Sequence, residues 1–176
     1  MITPMREWTA NHFERADRFV VLQMEAITLI VMQAEVVALE PVLDVQVMNT
    51  QALPNYANAS GFLPLTAGAC PVYTLDENLN TLDQIPPTYR ICAVMRNRPN
   101  DYALSCVAVH LLSRNEVSLH ATPRSMLNAR SPILQLLVHD GKLLLGTTAA
   151  ALHAHLDARG NADVISFEQR IKRIKS

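Results

Sequence analysis

The stretch ILQLLVHDGKLLLGT, residues 133–147, is the clearest guide to the fold. Two apolar runs, Ile133 to His139 and Leu143 to Thr147, flank the dipeptide Asp140-Gly141. Asp-Gly between two apolar runs is among the strongest short signals of a two-residue β-turn, because Gly and Asp tolerate the positive φ angles that such turns need. The sequence therefore predicts a β-hairpin over residues 133–147.

Short strands are predicted along the rest of the chain as well. Tyr89 to Met95 and Tyr102 to Leu112 flank a turn-rich loop at residues 96–101 and are predicted to form a second hairpin. Three further strands are predicted from apolar, β-branched or alternating runs: Phe19–Met24, Val42–Val47 and Ala69–Leu75. Many short strands at close spacing indicate a small barrel or sandwich rather than a parallel α/β sheet.

Two of these segments contain features that restrict the strands. Pro71 lies inside the run Ala69–Leu75 and predicts an edge position or a bulge, because proline cannot donate to a strand ladder. Pro41 stops any helix that would form before it, because proline disfavours the helical region for the preceding residue.

Two helices are expected. Ala149 to Ala158 is rich in alanine and leucine and is followed by Gly160 as a C-cap. Asp76 to Leu82 is predicted as a short helix with Asp76 as its N-cap.

The two ends of the chain are predicted to lie outside the main domain. Residues 1–17 are interpreted as an N-terminal extension and residues 158–176 as a basic C-terminal tail. Four basic side chains crowd the last seven positions: Arg170, Lys172, Arg173 and Lys175. A solvated tail is favoured over a contact with lipid or nucleic acid.

Composition limits the class of protein. The chain has 176 residues, 49% hydrophobic and 18% charged, enough for one domain or two subdomains that share a core. A net charge of -1 gives no reason to expect a nucleic-acid partner. The N-terminus is too charged for a signal peptide, and the longest apolar stretch, Leu29 to Leu43, is too interrupted to span a membrane. A cytoplasmic location is expected.

Residue patterns typical of catalysis or metal binding are not found in the sequence. His153 and His155 are two positions apart in a predicted helix, where their side chains diverge. Cys106 and His110 are too far apart along a strand for a nucleophile and its base. The three cysteines are expected to be buried, reduced thiols. We therefore expect no catalytic, cofactor-binding or metal-binding residues.

The blocks Leu53-Pro54-Asn55, Gly61-x-Leu-x-Leu65 and Pro71-Val72-Tyr73-x-Leu75 follow one another along the chain. Their order resembles that of the apolar blocks in the CheW coupling proteins of bacterial chemotaxis. In that family a loop with an Ile-Pro-Asn-type motif leads to Gly-x-x-x-Leu-Arg-Gly and then to Val-Pro-Val-x-Asp-Leu. The matching blocks here are Leu53-Pro54-Asn55, Gly61-x-Leu-x-Leu65 and Pro71-Val72-Tyr73-x-Leu75. In the second half, Ala103 to Val109 resembles a family strand, and Asp140 to Leu145 with Leu152 resembles the closing hairpin and helix.

The resemblance implies a mostly β fold over residues 18–157, with two small five-stranded SH3-like barrels sharing a core, short helices and a C-terminal helix. It also implies a non-catalytic adaptor that couples a CheA-type histidine kinase to methyl-accepting receptors, or that serves a related chemosensory pathway such as type IV pilus-driven motility. Two other hypotheses remain: a small-molecule-binding β module or minor enzyme, and a purely structural component of a larger assembly.

The resemblance assigns partner-binding candidates to Val36, Ala38, Leu39 and Thr66. For Val36 and Leu39, packing in the core is an equally open interpretation. Thr66 stands where the family has arginine, and Thr74 stands where it has an acid. Replacing arginine by threonine removes a long charged side chain, so we expect a partner that differs from the usual one.

Overall fold

The computed structural model describes residues 13–47, 58–123 and 131–158. Its strands are β1 Arg18–Gln23, β2 Thr28–Met32, β3 Val36–Pro41, β4 Gly61–Leu65, β5 Gly68–Tyr73, β6 Ile91–Met95, β7 Tyr102–Cys106, β8 Ala108–Ser113, β9 Ser118–His120, β10 Gln135–His139 and β11 Lys142–Gly146. Short 3₁₀ turns cover Gln33–Glu35, Val42–Asp44 and Arg114–Glu116. Residues 13–15 and 149–158 are α-helical.

The strands form two sheets. One has the order β8-β1-β2-β11-β10-β9 and uses both ends of the described chain, so we call it the terminal barrel. The other has the order β3-β6-β7-β5-β4 and is built from the chain between β2 and β8; we call it the central barrel. The paired strands are antiparallel except for β11 with β2 and β5 with β7.

Each sheet brings its two edges towards each other. In the terminal barrel the edge strands β8 and β9 are consecutive and are joined through the turn Arg114–Glu116. In the central barrel the segment after β3 reaches β4, where Gln46 and Phe62 exchange backbone hydrogen bonds of 2.8 and 2.9 Å. The predicted mostly β fold with two SH3-like barrels is confirmed, with six strand segments in the terminal barrel because a 3₁₀ turn separates β8 from β9.

Three hydrophobic clusters explain why so many strands are apolar on both faces. One cluster fills the terminal barrel and includes Phe19, Val21 and Ile30. A second fills the central barrel and includes Val72 and Val94. The third lies between the barrels and takes the alternate residues of the same strands: Val20, Leu22, Leu29, Val31, Ala93, Met95, Tyr102 and Leu104. Since successive strand residues point to opposite faces, a strand between a barrel interior and the shared core has no solvent face.

The two predicted hairpins are present. Asp140 and Gly141 have φ angles of 49° and 73°, as a turn with two left-handed residues requires. β6 and β7 pair as the second hairpin. However, the run predicted as one strand from Tyr102 to Leu112 is divided at Val107, so that β7 belongs to the central barrel and β8 to the terminal barrel.

Two local predictions are wrong. Val42 to Val47 does not form a strand, because the chain makes a 3₁₀ turn at Val42–Asp44 before its bridge at Gln46. Asp76 to Leu82 is a turn, since the Asp76 carboxylate accepts the backbone N–H groups of Asn78 and Asn80 in place of starting a helix. β5 as a whole has a neighbour on each side, but Pro71 itself pairs only with Phe62 of β4, because pairing with β7 begins one residue later.

The predicted C-terminal helix is confirmed over residues 149–158, and Gly160 lies outside the described residues. The Thr148 hydroxyl accepts the N–H of Ala151 at 3.1 Å, and Glu35 Oε1 accepts the N–H of Ala149 at 3.0 Å. The Tyr102 hydroxyl donates to the Ala149 carbonyl at 2.7 Å. These contacts tie the start of the helix to the shared core and to the residue before β3.

Within the predicted N-terminal extension, Phe13 is fully buried and belongs to the cluster inside the terminal barrel. No helix among the described residues is long and apolar enough to cross a membrane.

Candidate partner-binding surface

Strand β3 carries three of the four predicted partner-binding residues. It lies at one edge of the central barrel and pairs with β6. Val36 and Ala38 are half-buried and pack against the shared core and the central-barrel interior, respectively. Val37 and Leu39 point to the opposite face of the strand, where they are 40% and 49% exposed. The three candidates in β3 therefore differ in position: Val36 and Ala38 pack inside the protein, and Leu39 faces solvent.

The exposed apolar character continues beyond β3. Leu43 is 96% exposed and Val47 is 88% exposed. Among the described residues, four of the six large hydrophobic side chains that are exposed lie between positions 37 and 47. A concentration of this kind is typical of a binding site, whereas single exposed apolar side chains are not informative.

Sequence reasoning missed Val37, Leu43 and Val47 as surface residues. The period-two pattern of Val42–Val47 predicted a half-buried strand with one face covered. The turn after Pro41 instead leaves Leu43 and Val47 in solvent while Val45 packs against the central-barrel cluster. The proline was the available signal that regular pairing would end there.

The charge of this surface is negative. Asp44 is exposed and follows Leu43 in the chain, whereas Glu40 is half-buried and lies on the face of β3 that carries Val36 and Ala38. The sequence contains no Lys, Arg or His between Phe19 and Tyr89, although it contains seven acidic residues in that interval. We define the β3 surface as Val37, Leu39, Leu43 and Val47 together with Asp44.

Thr66 is in a different element from the other candidates. It is exposed in the turn between β4 and β5. Gly68, two residues later, has a φ of 125°, a backbone conformation that favours glycine. β4 is the edge strand opposite β3 in the sheet order. The structure thus places Thr66 on the other edge of the same barrel, in a position where a longer side chain would be solvated.

Thr74, at the position of the family's acid, is fully buried and part of a chain of hydroxyl groups. Its Oγ1 lies 2.7 Å from Ser105 Oγ and 3.1 Å from Ser60 Oγ, and Ser60 donates to the Leu82 carbonyl at 2.7 Å. Buried hydroxyls that bond one another need no charged partner. The polar network at this position is therefore structural and neutral.

The three cysteines are buried and protonated at neutral pH. Burial, with a smaller effect of Asp101, raises the pKa of the Cys70 thiol to about 11. Burial, with smaller effects of Cys70 and Glu40, raises the pKa of Cys92 to about 12. Burial also raises the pKa of Cys106 well above its usual value. Because the thiolate is the nucleophilic form, these thiols fit a structural role.

The described residues contain no group of three or more His, Cys, Asp or Glu side chains that could hold a metal ion. The barrel interiors are occupied by apolar side chains of the protein itself. The β3 surface is therefore the feature of the described chain with the strongest character of a binding site.

Two SH3-like barrels with a shared core between them define a CheW-like fold. No family model and no curated protein matches the sequence. Among solved structures, the scaffolding protein TtCheW from Thermoanaerobacter tengcongensis is similar, with a TM-score of 0.58 and 15% sequence identity. The similarity covers 78% of this chain and 92% of that chain, so it includes both barrels.

Proposed function

We propose that this protein is a non-catalytic, cytoplasmic signalling adaptor that couples a CheA-type histidine kinase to methyl-accepting receptors, or that serves a related chemosensory pathway such as type IV pilus-driven motility. The observation that carries the proposal is the double-barrel architecture, shared with a scaffolding protein over nearly the whole of that protein's length. Fold similarity at 15% identity supports the class of function, and the partner has to be argued from the surface.

The β3 surface supports binding of another protein. It combines apolar side chains with the carboxylate of Asp44 at the edge of a sheet, and a partner can cover such a surface with apolar contacts while polar groups set its specificity. Of the three candidate contact residues in β3, Leu39 is the exposed one, and Val37 lies on the same face of the strand. Val36 and Ala38 hold the strand in place from beneath.

Thr66 supports a difference in partner preference. Without the family's arginine, the β4–β5 turn presents no cation between Leu65 and Ala69. A partner that pairs a carboxylate with that arginine in other members would gain nothing here. We therefore propose a dedicated partner whose matching surface is apolar or basic.

The alternative of a small-molecule-binding module or minor enzyme needs a cavity with converging polar groups. The two barrel interiors are packed with apolar side chains, which does not favour it. Buried thiols with raised pKa values do not favour a cysteine nucleophile either.

The test is titration calorimetry of the purified protein with the regulatory domain of a CheA-type kinase and with a receptor tip from the same organism. We expect saturable binding to at least one of them without nucleotide. Leu39→Asp should weaken this binding about tenfold or more, because a central apolar contact is commonly worth more than 1 kcal/mol.

The matched control is Leu143→Asp, at a leucine that is 55% exposed in β11 of the other barrel. This variant should bind within about twofold of the wild type, because surface changes away from an interface have small effects. Absence of binding to both partners would contradict the adaptor proposal. Equal losses in both leucine variants would contradict the assignment of the β3 surface.

A further inference from the structure

Glu35 connects the start of β3 to the C-terminal helix over residues 149–158. It is the last residue of the 3₁₀ turn Gln33–Glu35, directly before β3. Its carbonyl accepts the N–H of Arg96 at 2.8 Å, which fixes the start of β3 to the end of β6. Its carboxylate oxygen Oε1 accepts the N–H of Ala149 at 3.0 Å, which fixes the same residue to the start of the helix. One residue therefore holds the edge strand and the helix together.

The residues that follow Glu35 form an irregular part of β3. The register between β3 and β6 shifts between Val36 and Ala38, which leaves Val37 as an extra residue in β3. Such a bulge bends a strand and changes the direction of its side chains, and bulges are common beside functional sites. The positions of Val37 and Leu39 on the β3 surface therefore depend on how the start of the strand is held.

The C-terminal helix depends on its contacts with the rest of the protein. An isolated helix of this length is marginal in water, so its stability comes from packing. Leu152 and Leu156 are buried in the shared core. The helix follows β11 of the terminal barrel, yet Nε2 of His155 lies 3.0 Å from the carbonyl oxygen of Leu79, between β5 and β6. The basic tail predicted after the helix lies outside the described residues.

A carboxylate suits the start of this helix. The first N–H groups of a helix have no partner within it, and a negative charge beside them is stabilising. Ala149 is 1% exposed, so its N–H is shielded from water. Without the Glu35 carboxylate, this N–H would be a buried donor that lacks its acceptor, which is costly. Because the bond forms only when the helix and the start of β3 are both in place, each stabilises the other.

We propose that Glu35 couples the C-terminal helix to the β3 surface, so that the docked helix holds Val37 and Leu39 in position for a partner. The coupling is reciprocal, because each site affects the other by the same free energy. A partner bound to the β3 surface tightens the helix, and an event that releases the helix loosens the surface. Glu35 is a positioning residue that acts through β3. The role of a partner rests on the proposed function, whereas the link between the helix and β3 exists in the protein alone.

The test is hydrogen exchange measured by mass spectrometry on the full chain without a partner. Ala154→Gly weakens the helix from an exposed position, and we expect about fivefold faster exchange over residues 149–158. Coupling requires that this variant also accelerate exchange over residues 36–42, by about twofold or more. In the Glu35→Ala background, Ala154→Gly should leave exchange over residues 36–42 unchanged. The four proteins form a double-mutant cycle, which isolates the link from the separate effect of each change.

Two further variants separate the coupling from a general loss of stability. Glu35→Gln keeps a side-chain oxygen that can accept the same N–H, so Ala154→Gly should again accelerate exchange over residues 36–42 in this background. Leu143→Gly weakens the β10–β11 hairpin at a position that is 55% exposed. It should accelerate exchange over residues 135–146 and leave residues 36–42 as in the wild type.

Faster exchange of the helix in Ala154→Gly, with unchanged exchange over residues 36–42, overturns the proposal. Equal acceleration over residues 36–42 with and without the Glu35 carboxylate overturns it as well, because the link would then pass through other contacts. Acceleration that spreads equally to β10 and β11 would mean that Ala154→Gly lowers the stability of the whole protein, and this result also contradicts a specific coupling.

A last measurement joins the coupling to the proposed function. At a saturating concentration of the regulatory domain of a CheA-type kinase, exchange over residues 149–158 should slow in the wild type and not in Glu35→Ala. Equal slowing in both proteins would contradict transmission through Glu35. Absence of kinase binding would contradict the adaptor proposal alone, since the exchange cycle needs no partner.

Discussion

The terminal and central barrels have the same general design but differently filled interiors. The terminal barrel is filled by large side chains, among them Phe13 and Phe19, whose rings stack with centroids 6.2 Å apart. The central barrel is filled by smaller ones: Leu63, Cys70, Val72, Cys92, Val94 and Ala103. One of these rings, that of Phe13, comes from the residues that precede β1.

The barrels also close differently. The terminal barrel closes through continuous chain, and its turn is held by Ser113, whose N–H and hydroxyl both donate to Glu116 Oε2 at 2.7 and 2.9 Å. The central barrel closes through the backbone pair of Gln46 and Phe62 and leaves apolar side chains exposed beside it. One barrel is closed by a continuous segment of chain, and the other has exposed apolar side chains beside its closing pair. This comparison leads to three predictions.

The largest expected effect is in the terminal barrel. Phe13→Ala should lower the free energy of unfolding by about 3–5 kcal/mol, because it removes a fully buried aromatic ring and leaves a cavity. Urea denaturation followed by circular dichroism measures the change. Phe13→Leu, which refills most of the volume, should recover more than half of it. A loss below about 1 kcal/mol for the alanine variant would show that the terminal barrel does not depend on residues ahead of β1.

A smaller effect is expected where the central barrel closes. A Cβ atom on Gly61 would lie 2.6 Å from Val45 Cγ1 and 2.8 Å from the Gln46 carbonyl oxygen. Gly61→Ala should therefore cost about 1–3 kcal/mol, as overpacking does, and should push residue 46 away from Phe62. Amide exchange should accelerate at Gln46 and Phe62 while the β10–β11 hairpin stays protected.

If protection instead falls equally in β10 and β11, the two barrels open as one unit and their closures are not independent. Gly146→Ala offers the matched change in the terminal barrel, where the new Cβ would lie 2.8 Å from the Gln135 carbonyl oxygen.

The smallest effect is a dependence of stability on alkaline pH that comes from the central barrel. The folded pKa values of Cys70 and Cys92, about 11 and about 12, lie above the value of 9.0 for a free thiol. At pH values between the unfolded and the folded pKa, the unfolded thiols lose their protons and the folded thiols keep them. The contribution of the two thiols to the free energy of unfolding is therefore fully present below pH 9 and decreases as the pH rises towards 11. Each group contributes a slope of at most about 1.4 kcal/mol per pH unit.

Urea unfolding at a series of pH values from 8 to about 10.5 measures this slope. The double variant Cys70→Ala/Cys92→Ala should have lower stability at every pH but a shallower slope than the wild type. Tyrosines also titrate at alkaline pH, but both proteins contain the same tyrosines, so the difference between the two slopes reports the two thiols. Identical slopes would show that the two thiols titrate normally in the folded protein.

Part of the fold was predictable because its information is local. The Asp140-Gly141 turn and the hairpin of β6 and β7 depend on residues a few positions apart. The predictions at Val42–Val47 and Asp76–Leu82 failed because periodicity does not show where a turn competes with a regular element. At Asp76, two backbone N–H groups donate to one carboxylate oxygen and stabilise a turn. An aspartate that stabilises a turn cannot be distinguished by sequence from an aspartate that caps the start of a helix.

The candidate site was predictable only in part. The family pattern pointed to Val36, Ala38 and Leu39, but it could not separate the residues that support β3 from the one that faces solvent. The separation depends on which face of β3 covers the barrel, and that is decided by its register with β6, including the irregularity between Val36 and Ala38. Leu43 and Val47 became surface residues through the turn after Pro41.

The sequence by itself determined that this protein is built from short strands, some of them joined as hairpins, because hairpin turns and apolar strand runs are chemical properties of neighbouring residues. Only the tertiary structure decided which strands share a barrel. β7 and β8 follow one another in a single apolar run, yet β7 belongs to the central barrel and β8 to the terminal barrel. The chain passes between the barrels at Val107, whose N–H donates to the Gln23 carbonyl at 2.8 Å. The physical reason is that both faces of these strands are buried, so hydrophobicity alone cannot distinguish a barrel interior from the core that the two barrels share.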